Sequence, residues 1–167
     1  MSTDYAEPIV EITDRILAIL RLQRDADEAL NDGVRPVATI DKGWPIRRLI
    51  LQDRLPALYV HFDRITLADD YTGLLTARYH FTLSLIDNQL PLSGSHDTVA
   101  RYIGELFYFV FARARQWELV GGEDLQIIDT APEGVEVSTD NDVLNQSLVQ
   151  ADLRFHVIRA LSLFEEV

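Results

Sequence analysis

The stretch from Leu74 to Ile86 alternates so regularly that it reads as a strand with one buried face. Leu75, Ala77, Tyr79, Phe81, Leu83 and Leu85 fall on one side, against Arg78, His80, Thr82 and Ser84 on the other. A period of two sends successive side chains to opposite faces of a sheet. A second run, Ala57 to Leu67, sets Leu58, Val60 and Phe62 against Tyr59, His61 and Asp63. Between the runs lies Ala68-Asp69-Asp70-Tyr71-Thr72-Gly73, which is turn chemistry. The two runs are expected to pair as an antiparallel hairpin over 57–86 with a well-specified register, because a one-residue slip would turn the apolar set to solvent.

Helical periods flank this hairpin. Pro8 suits a first helical turn, and Ile9, Ile12, Ile16, Ile19, Leu20 and Leu30 then form one apolar stripe. Asn31-Asp32-Gly33 stops it, so the first helix is expected over 8–31. Val34 to Ile40 is a candidate short strand weakened by Pro36, and Asp41 to Pro45 a turn. Residues 46–53 show no clean period and read as an irregular arm. Ser95 or Asp97 caps a second helix expected over 97–117. Its stripe is Val99, Ile103, Leu106, Val110, Ala114 and Trp117, and Tyr102, Tyr108, Phe109 and Phe111 add aromatics outside that stripe. A helix apolar around most of its girth is buried on two sides.

The remaining chain reads as a short strand at Leu125–Ile128, a turn at Ala131-Pro132-Glu133-Gly134, and a second short strand at Val135–Val137. A long last strand over 147–159 alternates Val149, Ala151, Leu153, Phe155 and Val157 with Gln150, Asp152, Arg154 and His156, and an apolar tail covers 161–167. Strands, a helix and more strands joined by short loops predict an α+β fold, an antiparallel sheet of about four to five strands with two main helices packed on one face. A chain of 167 residues fits a single domain over 1–167.

Composition narrows the chemistry. There is no cysteine, which excludes disulfides, thiolate metal sites and cysteine nucleophiles. The longest wholly apolar run, Leu106 to Ala112, is far short of the roughly 20 residues a membrane span needs. The first residues, Met1-Ser2-Thr3-Asp4, lack a signal-peptide profile, so a soluble protein made in the cytoplasm is expected. Net charge is −12, which repels polyanions at long range. The 15 basic residues are Lys42 and 14 arginines, and arginine is favoured at interfaces.

The motif search gives no catalytic set. His61 and Asp63 with His80 or His156 hold the ligand types of a non-haem iron centre. They sit on faces that tolerate polar residues anyway, and no substrate arginine accompanies them. Ser93-Gly94-Ser95-His96-Asp97 places its serine, histidine and aspartate side by side, where they cannot form a relay. Gly121-Gly122 opens no evident helix, and Lys42 has no phosphate-loop context. The expectation is therefore no enzyme, no cofactor and no metal. Arg47, Arg48 and Arg54 form a basic cluster beside Trp44 that suits an acidic patch such as Asp69-Asp70 on a neighbouring copy. Together with Tyr102, Tyr108, Phe109, Phe111 and Phe164, these are the candidate subunit-interface residues.

The order of these elements resembles a known family. The features are an N-terminal amphipathic helix, the Arg54-Leu55-Pro56-Ala57-Leu58-Tyr59-Val60 step into a strand, and a partner strand ending in Leu83-Ser84-Leu85-Ile86-Asp87. A helix from Asp97 and a final strand at Val149 to Val157 complete it. Together they resemble the tail terminator (tail completion) proteins of long-tailed phages, with the Mu-like branch nearest. The resemblance implies a homo-hexameric ring on the head-proximal end of the tail tube, assembled in the host cytoplasm. Such a ring stops tube polymerisation and offers a surface to the neck, so tube and neck proteins are the implied partners. No catalytic residues carry over. Six copies at −12 each would carry −72, and an acidic bore lets DNA pass without holding it. A head–tail neck component is the structural alternative, and an iron enzyme built on His61, Asp63 and His80 or His156 the alternative of another class.

Overall fold

The structure, a computed structural model, describes residues 7–26, 37–44, 55–69, 75–88, 100, 104, 127–140 and 148–161. Helix α1 spans Glu7–Ala26. Five strands follow: β1 Thr39–Lys42, β2 Ala57–Asp69, β3 Leu75–Asn88, β4 Ile127–Asp140 and β5 Leu148–Leu161. They form one sheet in the order β1-β2-β3-β5-β4.

The expectation of an antiparallel sheet under two main helices is overturned. The sheet is mixed, because β1 runs parallel to β2, with Thr39 opposite Ala57 and Lys42 opposite Val60. Absence of helices between strands argues for antiparallel pairing only where the connection is short. That reasoning holds from β2 to β3, but the chain between β1 and β2 is long enough to return to its starting end. Among the described residues one helix of more than isolated positions is present, and those residues are mostly strand. Of the segment 97–117, only Ala100 and Gly104 are described, both helical.

The core lies between α1 and one face of the sheet. The spacing of Ile12, Ile16 and Leu20, with Leu17 beside them, puts all four on one side of α1, and all are buried. They meet Leu58 and Val60 of β2, Ala77, Tyr79, Phe81, Leu83 and Leu85 of β3, and Ala151, Leu153, Phe155 and Val157 of β5. The solvent side of α1 carries an Arg15–Glu11 pair one turn apart at 2.5 Å. Arg21 reaches from α1 to donate to the Ile40 carbonyl at 2.9 Å, and Lys42 pairs with Asp14 at 3.0 Å. These contacts fasten the short β1 and occupy part of its outer edge. Gly43, with φ of 117°, follows β1 in a conformation that L side chains rarely adopt. A second, smaller cluster of Leu55, Ala57 and Ile86 sits apart from the main core.

Two strands are irregular in an informative way. In β2 the register skips between Phe62 and Arg64, leaving Asp63 as the extra residue of a bulge. In β4 it skips between Ile127 and Asp129 and again between Pro132 and Gly134, leaving Glu133 extra. The expected turn at Ala131–Gly134 is therefore a bulge inside one 14-residue strand. Pro132 is tolerated there because β4 is an edge strand, where a missing N–H breaks no ladder. Asp41 and Lys42, read as turn residues, belong to β1. Leu161, read as the start of a tail, ends β5 opposite Leu75. Among the described residues no helix is long and apolar enough to cross a membrane.

Candidate functional site

The face of the sheet turned away from α1 carries the chemistry. Even-numbered residues of β3 and β5 point there, which brings His80, Thr82, Ser84, Asp152 and His156 onto one surface. Several are deeply buried, including His80, Thr82 and Ser84. Two of the three bulges add a carboxylate to this face: Asp63 from β2 and Glu133 from β4. Two separate clusters result.

The first is built around His61. Its Nδ1 lies 3.0 Å from Asp63 Oδ1, and its Nε2 lies 3.2 Å from Ser84 Oγ. Thr82 donates to Asp63 Oδ2 at 2.5 Å. The indole of Trp44 lies against the His61 ring, with centroids 6.1 Å apart. Serine, histidine and aspartate thus meet in the order of a hydrolytic relay, the serine from β3 and the histidine and aspartate both from β2. The proton runs the wrong way for that chemistry, since Ser84 donates its hydrogen to Asp152 Oδ1 at 2.6 Å rather than offering it to His61. Ser84 is also 0% exposed, so no substrate reaches its oxygen. Gln150 donates a further 2.8 Å bond to Asp152 Oδ1. This is a closed hydrogen-bond network that satisfies polar groups inside the sheet.

Asp152→Ala is expected to destabilise the protein by about 1–3 kcal/mol, because the buried Ser84 hydroxyl loses its acceptor. Ser84→Ala should cost less, since Asp152 keeps Gln150. Urea unfolding midpoints of the two variants check this ranking.

The second cluster is His80, Glu133 and His156. His80 and His156 are direct cross-strand partners, and their rings lie 5.3 Å apart. Both Nδ1 atoms meet the same carboxylate oxygen, Glu133 Oε1, that of His156 at 3.0 Å. His80 Nε2 lies 2.8 Å from Thr66 Oγ1. Burial raises the Glu133 pKa, but the hydrogen bonds and charges of His156 and His80 outweigh it and hold the carboxyl below its ordinary value of 4.5.

A carboxyl depressed on folding stabilises the native state above its unfolded pKa, and that contribution fades as pH falls through the folded value. Wild type and Glu133→Gln should therefore differ in stability near neutral pH and converge as pH drops below 4.5. Denaturant midpoints measured from pH 7 downward, without added metal, check this.

The sequence-level metal set is only partly brought together. His80 and His156 do meet, but His61 and Asp63 belong to the other network. Glu133 is the member that sequence reasoning missed. A proline and a glycine around an acidic residue read as a turn, and the same signal also marks an edge-strand bulge.

Of the expected interface residues, Trp44 is described with its side chain and is 70% exposed. Asp69 is described only in its backbone, at the end of β2 opposite Leu75. Arg47, Arg48, Arg54, Asp70, Tyr102, Tyr108, Phe109, Phe111 and Phe164 lie outside the described residues.

No family model matches the chain, and no curated protein matches it. Among solved structures, the chain is similar to one in "Virion of native gene transfer agent (GTA) particle". The TM-score is 0.39 at 13% sequence identity, over 86% of this chain and 92% of that one.

Proposed function

We propose that the protein is a structural component of a phage-like particle and, more finely, a tail terminator. In this reading copies join head to tail into a ring, a hexamer by the family resemblance, that caps the tail tube and receives the neck. The observation that carries it is the exposure of unlike apolar side chains at the two opposite edges of one sheet. Trp44 stands exposed just past β1, and Ile128 and Val135 stand exposed on β4. With five strands, these edges are roughly 19 Å apart. A closed ring needs two different patches on each subunit, placed so that each meets its complement on the next copy. β4 is also long and, among the described residues, paired on one side only, so its outer backbone groups are available to a neighbour.

The closed network around Ser84 supports a role without catalysis, because its hydroxyl is committed and inaccessible. The net charge of −12 per copy suits a bore through which DNA slides. The reading is tested by the mass of the purified protein in solution, alone and with tail tube subunits. A ring mass and capped tubes of limited length are expected. A strict monomer that never caps tubes overturns it, and co-purification with empty heads rather than tails points to a neck component instead.

A further inference from the structure

We infer that His80, Glu133 and His156 form a binding site for one divalent first-row transition-metal cation. The cation clips edge strand β4 to β5 and β3. The inference stands on side-chain placement alone and is independent of the ring reading.

The three residues come from three adjacent strands, and each offers one ligand atom. Those atoms all lie within 4.8 Å of one another. Modest side-chain rotation brings such a set to the roughly 2.0–2.2 Å bonds that nitrogen and carboxylate ligands make to zinc. Two imidazoles and one carboxylate are a donor set that zinc, iron and their neighbours accept, whereas calcium and magnesium prefer oxygen. Three protein ligands leave a further position for water.

Three features go beyond proximity. Glu133 is presented by a bulge, and the residue paired directly with His156 is Ala131, whose methyl leaves room for the carboxylate to lie over the strand. His80 is supported behind the site, since its Nε2 bonds Thr66 Oγ1. Ligating histidines are commonly held in this way by their second nitrogen. Finally, the site matches its cation electrostatically. Among the described residues Glu133 meets only the two imidazoles, in a protein of net charge −12.

The hydrogen-bond pattern accommodates both states. Without metal, Glu133 Oε1 can only accept, so each histidine presents Nδ1–H to it. With metal, both Nδ1 atoms give a lone pair and the proton resides on Nε2. Thr66 serves His80 in either case, because a hydroxyl both donates and accepts.

The test uses tag-free, full-length protein freed of metal with EDTA and titrated calorimetrically with zinc chloride. One equivalent per chain is expected to bind. Glu133→Gln and His156→Gln should each weaken binding by more than about 100-fold, since even supporting residues are worth about 10–100-fold. Thr66→Val should weaken it about 10-fold, and Glu136→Gln, an exposed acid on the same strand, should leave it unchanged. Long-range nitrogen NMR should show both His80 and His156 moving to the Nε2–H tautomer as zinc is added. The inference is overturned if zinc does not saturate at one equivalent, if Glu133→Gln and His156→Gln bind as wild type does, or if neither imidazole responds.

Discussion

Phe81→Ala is expected to destabilise the protein by about 3–5 kcal/mol, the largest loss from any single truncation in the described core. Phe81 is fully buried at the centre of β3. Its ring is stacked on Phe155 of β5 with centroids 5.8 Å apart, and meets Phe62 of β2 edge-on at 5.7 Å. Those two rings are held by their own strands, which are hydrogen-bonded to β3 on either side. Neither can move inward without breaking register, so the cavity stays open and its cost adds to the lost burial. Against a total stability of about 5–15 kcal/mol for a typical domain, this is a large fraction. It corresponds to a fall in melting temperature of roughly 6–20 °C for a chain of this size. Phe81→Leu, which keeps most of the volume, should lose less than half as much. Thermal and urea unfolding followed by circular dichroism measure both, and a loss under about 1 kcal/mol for Phe81→Ala contradicts rigid packing around its ring.

That core was legible because its strands obey a simple rule. Each odd-numbered apolar residue of β3 from Ala77 to Leu85 is buried in the core cluster that α1 shares, and β5 repeats the pattern from Ala151 to Val157. Period two is visible whenever a strand has one apolar and one polar face. β2 shows where the rule fails. Phe62 and Ile65 differ in parity, and strict alternation puts Ile65 on the polar side. The extra residue Asp63 restores it, so that Ile65 lies opposite Tyr79 as Phe62 lies opposite Phe81. The one local sign of that insertion is Asp63 itself, a residue type depleted in strands, and an aspartate on a wet face of a strand gives the same sign.

The same limit hid the candidate metal site. His80 and His156 can be assigned to one face from alternation alone. Their carboxylate partner cannot, because its position depends on a bulge and on β4 being the outermost strand. Which strand lies at an edge is decided by long-range pairing, and so is the direction of β1. Four residues carry too little pattern to choose between parallel and antiparallel partners. Two carboxylates on the polar face, Asp63 and Glu133, come from bulges, whereas Asp152 comes from the regular run of β5. Irregular backbone has placed the two acids that meet histidines, and bulges commonly re-aim side chains in this way.

In the proposed ring, Trp44→Ala and Val135→Lys are each expected to release monomers without unfolding them. A tryptophan anchoring an interface contributes at least about 2 kcal/mol, or roughly 30-fold in affinity. In a closed ring every subunit is held by two interfaces, so releasing one breaks two contacts at once. The two losses multiply to roughly 1,000-fold for subunit release. Val135→Lys acts on the opposite surface by placing a charge on the open edge strand, a device that proteins use to prevent edge pairing. The fold should be little affected, because Trp44 and Val135 are both exposed in the single chain. Light scattering coupled to size exclusion, across a range of concentrations, reads the mass, and thermal melting reads the fold. Leu22→Ala serves as the control, since Leu22 is also an exposed apolar residue but lies on helix α1 and on neither edge strand. If edge-to-edge assembly is correct, the control keeps the ring mass while the other two lose it. If all three keep it, the contacts lie on some other surface. If the control also dissociates, exposed apolar area in general drives association, and the directional contact a ring requires is absent.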